Sequence, residues 1–231
     1  MGDPTELHHL RSFEDLLYDA VHLLYQADDV DPEKDSHGYE FTYVRSSILN
    51  TVLLPECATN CCLDALELPK SYGEDIDKLP FLSKLEFFLS RINANAKFDR
   101  GCKEVQAVAE LKSVRDSRVH PKVKKKQVSE IEPWFPPDFG HTNLLKIPAD
   151  CNYWTVQHAA LALRSANDFF NLFFLDWCKF NANTVCEILL ASDRATIPST
   201  SYIGIDAIEG LTRAVSQFGI DFKFIGKQLI P

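Results

Sequence analysis

The sequence predicts an all-α fold, on the evidence of its composition and of its long amphipathic runs. The 231 residues include only nine glycines against 16 phenylalanines, and apolar residues recur at spacings of three and four along most of the chain. Few glycines and uninterrupted periodic runs favour helices over a sheet with tight turns. With 45% hydrophobic residues, the chain can bury a core of ordinary size.

The first half of the chain contains four predicted helices. Apolar stripes predict helices over residues 10–27, 40–66, 78–92 and 102–119. Pro55 lies inside the second of these, where a proline removes a hydrogen bond and kinks the axis, so its halves can be counted as two helices. Residues 28–38 are predicted to form a loop and residues 69–77 a linker. Pro121 disfavours a helical conformation at His120, so the fourth helix is expected to end there.

The second half begins with a proline-rich segment, residues 121–150. It is predicted to be an ordered loop or lid, since Trp134, Phe135 and Phe139 would be costly to leave in water. Further helices are predicted over residues 152–179, 183–193 and 205–218. Residues 220–225 alternate like a strand but have no partner strand, and they are expected to pack as an extended tail.

These elements predict a division of the chain into three parts. They are an N-terminal helix and loop (1–38), a helical bundle (39–180) and a C-terminal helical extension packed on the bundle (181–231). The most apolar run, residues 155–180, carries charged side chains and is therefore expected to be a buried helix and not a membrane span. The first residues lack the features of a signal peptide, so we expect a cytoplasmic protein without a membrane partner.

The charge and the cysteines restrict the ligands that the chain is expected to bind. A net charge of -9 argues against nucleic-acid binding by bulk electrostatics. Contact with RNA would need a local basic patch, which is formed by Arg118, Lys122, Lys124, Lys125 and Lys126. The alternative is that these residues belong to a solvated loop without a ligand. The seven cysteines are expected to be free thiols in a reducing compartment. No pair has CxxC spacing, so neither a metal site nor a cofactor is predicted.

The most specific pattern is residues 115–121, Arg-Asp-Ser-Arg-Val-His-Pro, at the end of the fourth predicted helix. Asp116 and His120 are four residues apart and can meet on one helix face. The carboxylate and the helix C-terminus favour a protonated His120, whereas Arg115 and Arg118 oppose it, so His120 can titrate near neutral pH as a general acid or base. Arg115 can offer a planar fork to a phosphate. This combination suits cleavage of RNA without a metal ion.

One histidine cannot readily perform both proton transfers of such a reaction. A two-fold homodimer that brings two copies of the motif together would supply a base and an acid, and would double the arginines around one phosphate. The sequence therefore favours a homodimer if the motif is catalytic.

The segment from Glu110 to Pro121 resembles the signature of HEPN domains. That signature is an arginine, four to six residues and then a histidine, often with Asn, Asp or His directly after the arginine. Here four residues separate Arg115 from His120, and Asp116 follows the arginine. The order of helices is similar to that family over about residues 39–179, with additional helices before and after.

The resemblance implies an all-α, HEPN-like helical bundle that dimerises with the motif at the dimer cleft. It also implies a metal-independent endoribonuclease, as in toxin–antitoxin or phage-defence systems, which would have RNA as substrate and an antitoxin protein as a partner. Arg115 and His120 would be the catalytic residues, and Asp116 would orient His120.

Two other readings of the motif remain open at the level of sequence. Some members of the family are inactive and serve as RNA-binding or protein-interaction modules. The motif can also be purely structural, with Arg115 paired to an acidic side chain such as one on the second helix. His120 would then cap its helix by hydrogen-bonding the last carbonyls.

Overall fold

The all-α prediction is confirmed for the part of the chain that the structure describes. The computed structural model describes residues 11–123, 125, 138–190 and 210–226. Its α-helices are α1 (Phe13–Asp28), α2 (Tyr39–Asp64), α3 (Lys70–Asp77), α4 (Phe81–Ile92), α5 (Lys103–Val119), α6 (Val156–Phe170), α7 (Ala182–Leu189) and α8 (Gly210–Phe218). These ranges contain no strand, and an isolated β-bridge joins His141 to Pro148.

Helix α2 is the central element of the bundle. It packs along α1 and against α4, α5 and α6, and α5 also packs against α6. The hydroxyl of Ser47 on α2 donates a buried hydrogen bond of 2.7 Å to the carbonyl of Ala20 on α1, which fixes the two helices against each other. Helix α5, which carries the motif, is thus held on two sides by other helices.

Helix α2 runs through Pro55 as a single helix, and it is not divided into two. Pro55 is buried, and its carbonyl accepts a hydrogen bond of 2.6 Å from the hydroxyl of Thr59. The packing of α2 against its neighbours keeps the two halves in one element.

The predicted linker, residues 69–77, is a helix over most of its length. Helix α3 begins after Pro69 and contains Gly73, and Ile76 is its only buried residue. With one buried position it has no apolar stripe, so periodicity could not reveal it. Helix α4 correspondingly begins at Phe81, three residues later than predicted.

The long helix predicted over residues 152–179 has three parts. A 3₁₀ turn, Cys151–Tyr153, precedes α6, and α6 continues as a π-helical segment, Asn171–Trp177. The side chain of Asn171 donates to the carbonyl of Asp221 at 3.0 Å and accepts from the N–H of Phe224 at 2.8 Å. The π-helical segment therefore carries the side chain that fastens the end of the described chain.

The tail is buried, but it is not extended as predicted. Residues Lys223–Ile225 form a 3₁₀ turn. The ring of Phe224 lies 5.2 Å from that of Phe170 and 6.3 Å from that of Phe13, measured between centroids. Hydrophobic residues of the three predicted parts of the chain thus share one core.

Some predicted features lie outside the described residues. They include Trp134 and Phe135 of the predicted lid and the adjoining ends of the helices predicted over 183–193 and 205–218. Within the described ranges, no helix has the length and apolarity needed to cross a bilayer.

Candidate functional site at the end of α5

Helix α5 ends where Pro121 predicts that it should. Its last residue is Val119, and His120 follows as the C-cap with φ -122° and ψ 64°, outside the helical region. The backbone N–H of His120 still donates to the carbonyl of Asp116 at 3.0 Å. His120 is exposed, so its imidazole is accessible to a ligand at the surface.

Arg115 forms two ion pairs. Its Nη2 lies 3.0 Å from Oε2 of Glu56 on α2, and its Nη1 lies 3.0 Å from Oδ1 of Asp116. Its Nε is shielded from solvent and has no hydrogen-bond partner among the described residues. The structural reading of the motif pairs Arg115 with an acidic side chain such as one on the second helix, and Glu56 is such a partner.

The carboxylate of Asp116 binds two cations, and no hydrogen bond joins it to the His120 ring in the described part of the chain. One oxygen accepts a hydrogen bond from Nζ of Lys112, and the other pairs with Arg115. The hydrogen bond from Lys112, with a smaller contribution from Arg115 and against partial burial, lowers the pKa of Asp116. Lys112 lies on the helix four residues before Asp116, a spacing at which opposite charges pair, whereas His120 is the non-helical C-cap. The role of Asp116 in orienting His120 stays a prediction.

The motif opens onto a surface cleft. The cleft has a volume of about 560 Å³ and is lined by Lys112, Arg115, Asp116, Ser117, His120 and Lys122. An exposed imidazole, an arginine and two lysines therefore share one open space. That set can bind an anion and exchange a proton with it.

The predicted basic patch is partly described. Lys122 lines the cleft, Lys125 is exposed, and Lys124 and Lys126 lie outside the described residues. Arg118 is exposed, and its Nη1 donates to Sγ of Cys151 at 3.2 Å. Its positive charge is not neutralised by any carboxylate in the described ranges, so it remains available to an anion.

The described residues contain no group of three or more His, Cys, Asp or Glu side chains that could hold a metal ion. The seven cysteines are free thiols; Cys57, Cys102 and Cys151 are partly exposed, and the rest are buried.

Two residues of the site were not singled out from the sequence. Glu56 is distant in sequence from the motif, and no spacing rule links the two. Lys112 precedes Asp116 by four residues, a spacing at which opposite charges pair on a helix. That spacing could have predicted the ion pair between Lys112 and Asp116. It does not decide between Lys112 and His120, because both lie four residues from Asp116.

Comparison of the chain with protein-family models, with curated proteins and with solved structures returned no match. The cleft and its side chains are therefore the basis for a functional assignment, together with the short motif.

Proposed function

We propose that this protein is a metal-independent endoribonuclease of the HEPN type, cytoplasmic and acting as a homodimer. The proposal rests mainly on one observation. The exposed His120 and the partly buried Arg115 line the same open cleft. Toxin–antitoxin or phage-defence systems are the setting that the motif suggests, with an antitoxin protein as partner in the former.

The proposed reaction has two proton transfers. The 2′-hydroxyl of the RNA loses a proton, and the leaving O5′ gains one. His120 takes the proton from the 2′-hydroxyl of the RNA, and O2′ attacks the adjacent phosphorus. The bond from phosphorus to O5′ breaks, and O5′ receives a proton from the imidazolium of His120 in the second copy. The products are a 2′,3′-cyclic phosphate and a 5′-hydroxyl. Arg115 would bind the phosphate and stabilise the charge of the pentacoordinate intermediate.

Local charge supports RNA as the substrate despite the acidic chain. Arg118 and Lys122 lie at the motif, and Lys125 follows it closely in the chain. Phosphate contacts of this kind position a nucleic acid without reading its sequence. We therefore expect single-stranded RNA to bind weakly, and more weakly as the salt concentration rises.

A second function, a non-catalytic module that binds RNA or a protein, is favoured by the ion pair between Glu56 and Arg115. A carboxylate that occupies Arg115 gives this arginine a structural role. In that case His120 would be an exposed residue of a binding surface.

Cleavage of labelled single-stranded RNA in EDTA tests the proposal. We expect wild-type protein to yield 2′,3′-cyclic phosphate ends, and His120→Ala to lower the rate by about a hundredfold or more. His22→Ala is the matched control, because His22 is an exposed histidine on α1. The same variants can be compared by growth arrest on expression in a bacterial host.

Two outcomes would refute the enzyme. One is the absence of cleavage of any RNA by folded wild-type protein. The other is equal cleavage by His120→Ala, which would assign the activity to a contaminant. RNA binding without cleavage would support the non-catalytic module.

A further inference from the structure

We infer that Glu56 is an internal competitor of the phosphate: its carboxylate pairs with the Arg115 guanidinium that an RNA phosphate would bind, so that it weakens binding unless it is displaced. The inference rests on the proposed function, because it assumes that a phosphate of RNA binds at Arg115. It adds a residue of α2 that controls how tightly the site binds.

The geometry at Arg115 leaves little of the guanidinium free. Nη2 is bound by Glu56 and Nη1 by Asp116, each at 3.0 Å, and Nε is shielded from solvent. A bidentate contact with a phosphate needs two parallel N–H groups on one edge of the guanidinium. As the structure stands, a carboxylate lies beside each terminal nitrogen. Each nitrogen retains a second N–H, but a phosphate that binds there meets the negative charge of a carboxylate unless that carboxylate moves away.

Glu56 is the carboxylate that is easier to displace. Asp116 is also held by Lys112, whereas Arg115 is the only ion-pair partner of Glu56 in the described part of the chain. The Glu56 side chain is 47% exposed and that of Asp116 37% exposed. Half-exposed ion pairs contribute little free energy, so a ligand with several phosphate contacts can replace this one.

Displacement leaves a negative charge beside the bound phosphate. That charge opposes every anion, and a single small anion gains too few contacts to overcome it. RNA gains further contacts at Arg118 and Lys122. These contacts can offset the unfavourable free energy of binding beside the Glu56 carboxylate, which an isolated phosphate cannot offset. Glu56 would therefore make the site selective for polyanions.

Fluorescence polarisation with a labelled 2′-O-methyl oligoribonucleotide tests the inference. Such RNA lacks the attacking hydroxyl, so binding is measured without cleavage. We expect Glu56→Gln to lower the Kd about two- to fivefold, as the weakness of an exposed ion pair implies. The gain should disappear in an Arg115→Ala background, because it acts through that arginine.

The matched control is Glu86→Gln. Glu86 forms a comparable exposed pair, with Arg100 Nη2 2.7 Å from its Oε2 and both side chains 49% exposed. It lies on α4, and we expect it to leave the Kd unchanged. If Glu56→Gln does not fold, Glu56→Asp keeps the charge but shortens the reach, and it should also tighten binding.

Three results would overturn the inference. They are an unchanged or weaker affinity of Glu56→Gln, an equal gain in Glu86→Gln, and a gain that persists without Arg115. The ribonuclease proposal is judged separately, by cleavage with and without His120. Tighter binding through Arg115 in a protein that cleaves nothing would uphold this inference and refute the enzyme.

Discussion

The carboxylate of Glu110 on α5 accepts a hydrogen bond of 2.7 Å from the backbone N–H of Leu144. Its second oxygen accepts one of 2.9 Å from the N–H of Leu145, whose side chain is buried. The loop before the 3₁₀ turn is thereby fixed to the helix that carries the motif. Arg118 makes a second link to the same region through Cys151.

Loss of the Glu110 carboxylate should destabilise the protein. We expect Glu110→Ala to lower the free energy of unfolding by about 1–2 kcal/mol, because two backbone N–H groups lose a charged acceptor. Urea denaturation measures this, and Glu74→Ala, an exposed position on α3, should change it little. Equal stability of the two variants would show that the loop does not depend on Glu110.

The contribution of Glu110 should depend on pH. Burial raises its pKa, but hydrogen bonds from the backbone of Leu145 and Leu144 and from Thr142 outweigh burial and lower it. A lowered folded-state pKa stabilises the protein above the ordinary value of 4.5, and the effect is lost as pH falls through the lowered value. We expect the stability difference between wild type and Glu110→Gln to shrink as pH falls below 4.5 and through the lowered value. A difference that grows on acidification would contradict this.

Replacement of His120 should leave stability almost unchanged. The helix cap uses the backbone N–H of His120, and the side chain is exposed. We expect His120→Ala to alter the free energy of unfolding by less than about 0.5 kcal/mol, as at other surface positions. A loss of about 1 kcal/mol, typical of a lost cap, would mean that the imidazole itself caps the helix.

We expect the contacts of Arg213 to stabilise the packing of α8 against the end of α1. Its guanidinium binds the carboxylates of Asp28 and Asp29, each at 2.7 Å, and lies 4.7 Å from the ring centroid of Tyr25. We expect Arg213→Ala to cost about 1 kcal/mol, and Arg213→Lys to restore only part of it, because lysine lacks the planar fork. Hydrogen exchange should accelerate in α8 first; uniform acceleration would contradict a local role.

The sequence predicted those parts of the fold that depend on local rules. The end of α5 follows from Pro121, which acts on the adjacent residue, and α6 has a clear apolar stripe. Helix α3 was missed because Ile76 is its only buried side chain. The continuity of α2 through Pro55 depends on packing against other helices, which no local rule contains.

At the site, the sequence predicted the position of His120 but not the partners of its neighbours. Asp116 has possible partners four residues away in both directions, of which Lys112 lies inside the helix and His120 is the non-helical C-cap. The contact of Arg115 with Glu56 depends on how α2 packs against α5. The catalytic roles of Arg115, Asp116 and His120 and the homodimer stay predictions.

The contact between Phe13 and Phe224 has a consequence for synthesis. These rings come from the beginning and the end of the described chain, and both are fully buried in the same aromatic cluster. A ribosome makes the first long before the second, so α1 can pack against α2 but lacks the contact between Phe13 and Phe224 until the last described turn emerges. We therefore expect folding to finish only after translation of Phe224, and chains interrupted before that point to aggregate or be degraded.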